Sequence, residues 1–376
     1  MPSLKIISSA TSDLRSDQRI HRICASLQSS GWEVLTLSRK MPVPVDSAAR
    51  PYQMGFINTF FKKGPGFYAE FNARLFWRLL FSRVDILLSN DLDTLPANCV
   101  VSLIRRIPLI YDSHEYFTEV PELTDRPFVR SVWKLIERIC IRRPKAWMTV
   151  SKPIAEAYND RYQIEMQVVR NLPFKNDTSV NVIPLEFLIQ KGGKYRMIYQ
   201  GSVNIDRGLE ELLDAMDLLP DFDLLVCGDG DVFNDLKKKR AKLVNPERII
   251  MTGKIDLDKL HFFTRQADIG ISIEKLNGLS YTHSLPNKVF DYIQLGLPCL
   301  VSPLPEVLKL NEHYDFAHVI KSHEPREIAK SIKALFSDNE QLEKLRSGAQ
   351  KASQDLNWEN EFPLLISVFE GVRAQF

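Results

Sequence analysis

The chain has 376 residues, 44% apolar and 26% charged, with a net charge of +2. This is ordinary for a globular protein and exceeds the usual size of a single domain. No Lys/Arg block resembles a nucleic-acid arm, and no apolar run approaches the roughly 20 residues that span a bilayer. The five cysteines (24, 99, 140, 227 and 299) stand alone inside mostly apolar runs, which predicts free buried thiols in a reducing compartment. Met1 leads directly into an apolar strand-like run with no basic n-region, so the expected location is cytoplasmic.

Short apolar runs alternate with helical patterns along the whole chain. In the first half, strands are expected at Leu4–Ala10, Glu33–Ser38, Asp85–Ser89, Leu109–Asp112 and Trp147–Val150. Helices are expected near Asp17–Ser29, Phe67–Phe81, Thr94–Arg105 and Pro127–Arg142. Asn171 to Gly193, broken by Pro173, Pro184 and Gly192-Gly193, interrupts the pattern. The expected domains are therefore 1–172, a linker at 173–193, and 194–357, with the final amphipathic stretch 358–376 packing back on the first.

The alternation restarts with strands at Tyr195–Gln200, Asp223–Cys227, Arg248–Met251, Asp268–Ile273, Cys299–Val301 and Ala317–Ile320. Helical patterns fall at Leu209–Leu219, Val232–Leu243, Leu257–Arg265, Pro325–Phe336 and Gln341–Gln354, besides a short helix carrying Lys288 and Asp291. The fold class this predicts is α/β, with two Rossmann-like doubly wound domains facing a central cleft, ligands lying beyond the C-terminal strand ends.

Chemistry concentrates in the second half. A strand ends at Gly201-Ser202, and Arg207 stands ahead of a helix starting near Gly208; glycine admits a close ligand and arginine grips phosphate with a fork of donors. Ser284-Leu285-Pro286-Asn287-Lys288 opens the short helix, whose first amides, dipole and Lys288 suit a diphosphate. Asp291, one turn on, suits sugar hydroxyls. Cys227-Gly228-Asp229-Gly230 is either a tight turn or a phosphate contact, and GxGxxG is not completed.

In the first half, Tyr111–Glu115 places His114 at a strand end, with Asp112 or Glu115 to orient it and a sugar hydroxyl as its target. Asn90-Asp91-Leu92-Asp93 reads as a capping turn before Thr94, with substrate contact as the other reading. The seven histidines show no metal-ligand spacing, so no metal is expected. The segment 56–83, rich in aromatics and Lys/Arg, reads as a helix packed on the sheet with exposed arginines. Its second reading is peripheral contact with an anionic membrane face.

Gln200-Gly201-Ser202, Asp206-Arg207-Gly208, Leu285-Pro286-Asn287-Lys288, Asp291-Tyr292 and Gly296-Leu297-Pro298, in this order, resemble the family-4-type retaining glycosyltransferases of the GT-B fold. The resemblance is good over 195–306 and looser through Ser16–Arg19, Tyr111–Glu115 and Val150–Lys152. It implies a nucleotide-diphosphate-sugar donor, UDP- or GDP-linked, on the second domain. A glycan or lipid-linked acceptor would bind on the first, with no obligatory metal or other cofactor.

On the same resemblance, Gly201, Ser202, Arg207, Gly208, Ser284, Leu285, Pro286, Asn287, Lys288 and Asp291 form the donor site, with His114 catalytic. The family's glutamate pair falls on His283 and Asp291, and the usual basic residue after Gly201 is Ser202. The expected function is retaining sugar transfer in cell-surface polysaccharide assembly. A nucleotide-sugar epimerase or hydrolase on the same fold, or a non-catalytic nucleotide-sugar-binding subunit, remain as alternatives.

Overall fold

The computed structural model describes residues 3–15, 17–41, 50–120, 123, 126–175 and 183–375; Ser16 and the middle of the expected linker lie outside them. The chain forms two compact units. One comprises Met1–Asn171, Gly278–Ser280 and Glu361–Phe376, and the other Leu172–Asn277 and Tyr281–Asn360.

The first unit runs β1 (Lys5–Ala10), α1 (Gln18–Ser29), β2 (Glu33–Arg39), β3 (Gln53–Ile57), α2 (Gly64–Leu80), β4 (Ile86–Asn90), α3 (Leu95–Arg105), β5 (Leu109–Ser113), α4 (Pro127–Cys140), β6 (Ala146–Thr149), α5 (Lys152–Tyr162) and β7 (Met166–Val168). Its strands are all parallel in the order β3-β2-β1-β4-β5-β6-β7. Both sheet faces are covered, so central strands such as Ile86–Asn90 are buried at every position.

From β3 onward each connection steps across the sheet in one direction. Right-handed crossovers therefore set α2, α3, α4 and α5 side by side on a single face, while β1 to β2 steps the other way and sends α1 to the opposite face. Phe71, Leu75, Val101, Trp133 and Tyr158 accordingly share one core under the four helices.

After β7 the chain continues with β8 (Tyr195–Gln200), α6 (Leu209–Met216), β9 (Phe222–Cys227), α7 (Phe233–Arg240), β10 (Ile249–Gly253), α8 (Leu257–Thr264), β11 (Ile269–Ser272), α9 (Leu279–Thr282), α10 (Asn287–Gln294), β12 (Cys299–Val301), α11 (Pro305–Tyr314), β13 (Ala317–Val319), α12 (Pro325–Ser337) and α13 (Asn339–Asp355), all in the second unit except the first two residues of α9. The sheet is again parallel, ordered β10-β9-β8-β11-β12-β13. The chain ends in α14 (Trp358–Arg373). In the first unit Phe369 of this helix meets Trp32 edge-on, with ring centroids 6.2 Å apart, and Glu361 pairs with Arg170 at 2.8 Å.

Both sheets reverse strand order beside their first strand, between β1 and β4 and between β8 and β11. Ligands of open α/β sheets gather at the C-terminal ends of such strands. Both units are therefore Rossmann-like.

The sequence reading missed β3, β7, α5 and α11. β3 and β7 are short edge strands with one buried residue each, Ile57 and Met166, so neither shows a clean apolar run. α5 and α11 each open with a proline in the first turn, a start signal that the expectation did not use.

In the segment 56–83, α2 packs on the sheet with Arg74 and Arg78 exposed, as the first reading expects. Phe67, Phe71, Leu75 and Leu79 pack inward from α2, whereas Phe60, Phe61, Trp77 and Phe81 are exposed. All five cysteines are free and buried. No helix among the described residues is long and apolar enough to cross a membrane.

Candidate active site

At the switch point of the second unit, β8 is followed by Gly201 with φ +115°. The loop that follows closes with Asp206 at φ +63° and Gly208 at φ +73°, Gly208 being the N-cap of α6. A Cβ on Gly208 would lie 2.2 Å from the Ile273 carbonyl oxygen, so only glycine fits. Asp206 accepts from the Lys275 N–H at 2.8 Å, and Ser202 accepts from the Tyr199 hydroxyl at 2.5 Å. Arg207 is thereby held over the Tyr281 ring, 4.5 Å from its centroid.

Glu274, two residues beyond the end of β11, is the residue the sequence reading missed. It is fully buried. Its Oε1 lies 2.6 Å from Lys288 Nζ and 3.7 Å from Arg207 Nη1, while Oε2 accepts from the Ser272 hydroxyl at 2.8 Å. Burial alone would raise its pKa, but the charges of Lys288 and then Arg207 prevail and hold it below the usual carboxylate range.

Lys288 Nζ also sits 4.0 Å from the centre of the Tyr199 ring, and its Cε would lie 3.6 Å from a Cβ built on Gly201. Two cations thus converge on one carboxylate beside the Gly201 backbone. The cluster carries a net charge of +1, and burial weakens solvent screening around it.

Pro286 is the N-cap of α10 and has no N–H, so it cannot donate to a ligand. The amides at this helix start belong to Asn287 and Lys288, with Leu285 just before. Ser284, in the turn between α9 and α10, spends its hydroxyl on the Tyr281 carbonyl at 2.8 Å. Asp291 accepts from Gln200 Nε2 at 2.9 Å, and Gln200 Oε1 in turn accepts from the Thr264 hydroxyl at 2.7 Å. This chain ties Asp291 to the end of β8.

Gly228 and Gly230 make a tight turn against the first loop. A Cβ on Gly228 would stand 1.8 Å from the Gly201 carbonyl oxygen, and one on Gly230 2.3 Å from Asn204 Oδ1. Gly228→Ala should therefore push the Gly201 loop off its position and weaken nucleotide-diphosphate binding at least tenfold. Calorimetric titration with UDP and with GDP checks this; unchanged affinity for whichever the wild type binds would refute it.

In the first unit, His114 follows β5 and lies between two carboxylates. Nδ1 is 3.3 Å from Asp91 Oδ2, and Nε2 is 3.2 Å from Asp112 Oδ2. Asp91, with φ +57°, also accepts from the His114 backbone N–H at 2.8 Å. The capping-turn reading of Asp91 is thus corrected: Thr94, the N-cap of α3, makes no side-chain cap bond, and Asp91 serves His114.

Asp112 is held on its other side by Arg19, whose Nε and Nη2 donate to it at 2.8 and 2.6 Å. Burial alone would raise the pKa of Asp112, yet the Arg19 guanidinium and then His114 bring it down to about 2. Burial would lower that of His114, but Asp91 and then Asp112 carry it up to about 10, so the ring is an imidazolium at neutral pH. Asp93 accepts from the Thr11 hydroxyl; burial, and then the charge of Asp91, push it up to about 7. Among the described residues no group of three or more His, Cys, Asp or Glu side chains could hold a metal ion.

Comparison with known proteins bears on both halves. Residues 186–352 match the model for glycosyl transferases of group 1, and residues 17–172 match that for glycosyltransferase family 4. The chain belongs to the group 1 glycosyltransferases. A chitobiosyldiphosphodolichol beta-mannosyltransferase of Debaryomyces hansenii is 24% identical over 293 residues, covering 69% of this chain and 61% of that protein. The chain thus spans about six-tenths of the length of this curated relative.

In fold, this glycosyltransferase is similar to Anabaena HepE solved with UDP-glucose, with a TM-score of 0.77 at 16% identity over 98% of this chain and 100% of that one. It is similar also to sucrose-phosphate synthase of Thermosynechococcus elongatus, with a TM-score of 0.74 at 15% identity over 99% and 100%. These likenesses carry the GT-B fold.

Proposed function

We propose that the chain is a retaining glycosyltransferase that moves a sugar from a UDP- or GDP-linked donor to a glycan or lipid-linked acceptor, in cell-surface polysaccharide assembly. The observation that carries this reading is the convergence of Arg207 and Lys288 on Glu274, with Lys288 beside Gly201, at the switch point of the second unit. Membership of the group 1 family, the UDP-glucose bound to HepE and the lipid-linked glycan named for the mannosyltransferase relative support it.

In this reading the donor diphosphate lies against Arg207, Lys288 and the amides of Ser202, Leu285, Asn287 and Lys288. These neutralise the leaving group in place of a metal. Glu274 holds the two cations in place before any ligand arrives, so little rearrangement accompanies binding. Asp291 takes hydroxyls of the nucleotide ribose.

His114 gives a hydrogen bond to a sugar hydroxyl during transfer. Of its two carboxylates Asp91 is the more exposed, 24% against 0% for Asp112, and is the one a hydroxyl can displace. No side chain is placed as a nucleophile, so the departing phosphate itself helps to deprotonate the acceptor on the face it leaves. The aromatic, cationic segment 56–83 lies against the membrane that carries a lipid-linked acceptor.

The test is to incubate the protein with UDP- and GDP-sugars, with and without polyprenyl-diphosphate oligosaccharides, and to read the product by proton NMR. Acceptor-dependent product with the anomeric configuration of the donor is expected. Donor consumption without acceptor would favour the epimerase or hydrolase reading, and an inverted product would refute retention.

A further inference from the structure

The face of the first unit formed by α2, α3 and α4 has an outer side that resembles no ordinary solvated surface. On α4, Phe128, Val132, Leu135 and Ile139 recur at intervals of four, three and four residues and form one stripe. Phe128 is 81% and Ile139 70% exposed. The inward side of the same helix carries Trp133, Glu137 and Cys140. On α3, Leu103 and Ile104 are exposed, and at the end of α2 Trp77 stacks on exposed Phe81, 9° from parallel. Apolar groups of this size on adjacent helices form a patch with a partner, since monomers rarely expose so much contiguous apolar surface.

The charge on this face is of one sign. Arg78, Arg83, Arg106 and Arg138 are exposed. α2, α3 and α4 together hold two carboxylates, Glu70 and Glu137, and neither is available. Glu70 accepts from the N–H groups of Phe60 and Phe61 and pairs with Arg74. Glu137 is buried and takes the hydroxyls of Tyr158 and Tyr162.

Beside the stripe, Lys134, Leu135, Arg138 and Arg142 join Arg161 and Tyr162 to line a cavity of about 640 Å³. Lys134 is paired with Glu119, and Arg161 stands 3.9 Å from Glu137. Arg138 and Arg142 have no ion pair among the described residues. The negative end of the α4 dipole amounts to about half a charge, which cannot account for four cations. The cavity lies at the C-terminal ends of α4 and α5, which lead into the N-terminal ends of β6 and β7. It is therefore at the sheet edge opposite to Asp91 and His114.

We infer that this face docks on an anionic phospholipid bilayer, the α4 stripe entering the interface and the Lys134–Arg138–Arg142–Arg161 cavity receiving a lipid phosphate. A bilayer satisfies both halves of the pattern at once: acyl chains take the apolar stripe, and anionic headgroups take the cations. A soluble polyanion would leave the stripe wet. The inference reaches beyond 56–83, since α4 and the cavity form its centre, and it does not depend on the donor site.

The test is flotation of the full chain, without nucleotide or acceptor, on vesicles of phosphatidylcholine alone and with 30 mol% phosphatidylglycerol. Wild type should bind the anionic vesicles at least tenfold better. Arg138→Ala/Arg142→Ala should lose roughly thirtyfold, on the order of 1 kcal/mol for each cation. Leu135→Asn/Ile139→Asn should lose binding while keeping its unfolding midpoint, because both side chains are exposed. Wild type left behind by anionic vesicles, or both double variants floating with it, would overturn the inference. So would self-association abolished by Leu135→Asn/Ile139→Asn without any vesicle binding.

Discussion

Lys288→Ala is expected to abolish most sugar transfer, by about 10² to 10³ in kcat, as is usual when a charge opposite a developing oxyanion is removed. It should also weaken the fold, because Glu274 is fully buried and Lys288 lies 2.6 Å from it. Removing one partner of a buried pair costs about 3 to 5 kcal/mol. Here the lower end is expected, since Arg207 at 3.7 Å and the Ser272 hydroxyl remain on Glu274.

The two effects separate in a double variant. Lys288→Met/Glu274→Gln leaves no fully buried charge, only the partly exposed Arg207 facing an amide, so urea unfolding should return most of the stability while transfer stays lost. Transfer at the wild-type rate in Lys288→Ala would remove this lysine from the site. Recovery of transfer in the double variant would do the same.

Arg19→Met should be the most damaging change in the first unit. Arg19 and Asp112 are 2% and 0% exposed and are joined by two hydrogen bonds, and Arg19 also donates to the Val169 carbonyl at 2.7 Å. Breaking the pair leaves a buried carboxylate facing His114 alone, at a cost of about 3 to 5 kcal/mol.

The pH profile carries a second signature. The folded pKa of Asp112 is depressed to about 2, so its contribution is complete above the unfolded value of about 3.9 and is lost as pH falls toward 2. In Arg19→Met the folded value rises toward the unfolded one, so that acid loss should shrink. The folded pKa of His114 is raised to about 10, so its contribution is complete below about 6.5 and fades as pH rises through 10. Asp93 acts in the opposite sense: its ionisation costs stability between about pH 4 and 7 and then stays level, so it cannot produce the alkaline fall. His114→Asn should remove that fall. Urea midpoints from pH 3 to 10 decide both points, and an unchanged alkaline limb in His114→Asn would refute the assignment.

Most of the architecture was legible because parallel strands buried on both faces read as plain apolar runs, and Tyr195–Gln200 and Cys299–Val301 were placed to the residue. What failed was local. Gln53–Ile57 is a half-exposed edge strand containing a glycine, which leaves no apolar run to detect.

The site was legible where backbone conformation demands glycine, as at Gly201 and Gly208, and where a cation stands beside a helix start, as at Lys288. Glu274 was missed although the signal was present. A carboxylate directly after the apolar run Ile269–Ile273 sits at a strand end, and a lysine on the buried side of α10 requires a counter-charge. Asp91 was misread because Asn90–Asp93, mostly polar and directly before a helix start at Thr94, reads together as a capping turn. That it turns instead to the end of β5 follows only from the pairing of β4 with β5.

The central claim is that Arg207 and Lys288 hold a nucleoside diphosphate against the Gly201 loop. Thermal unfolding of the wild type, Arg207→Ala and Lys288→Ala, each with and without saturating UDP or GDP, tests it most directly. Bound ligand raises stability by RT ln(1 + [L]/Kd), which is about 2.7 kcal/mol at a hundredfold excess over Kd. The wild type should shift upward with one of the two nucleotides, and each variant should lose most of that shift relative to its own ligand-free midpoint. Wild-type shifts in both variants would contradict the claim.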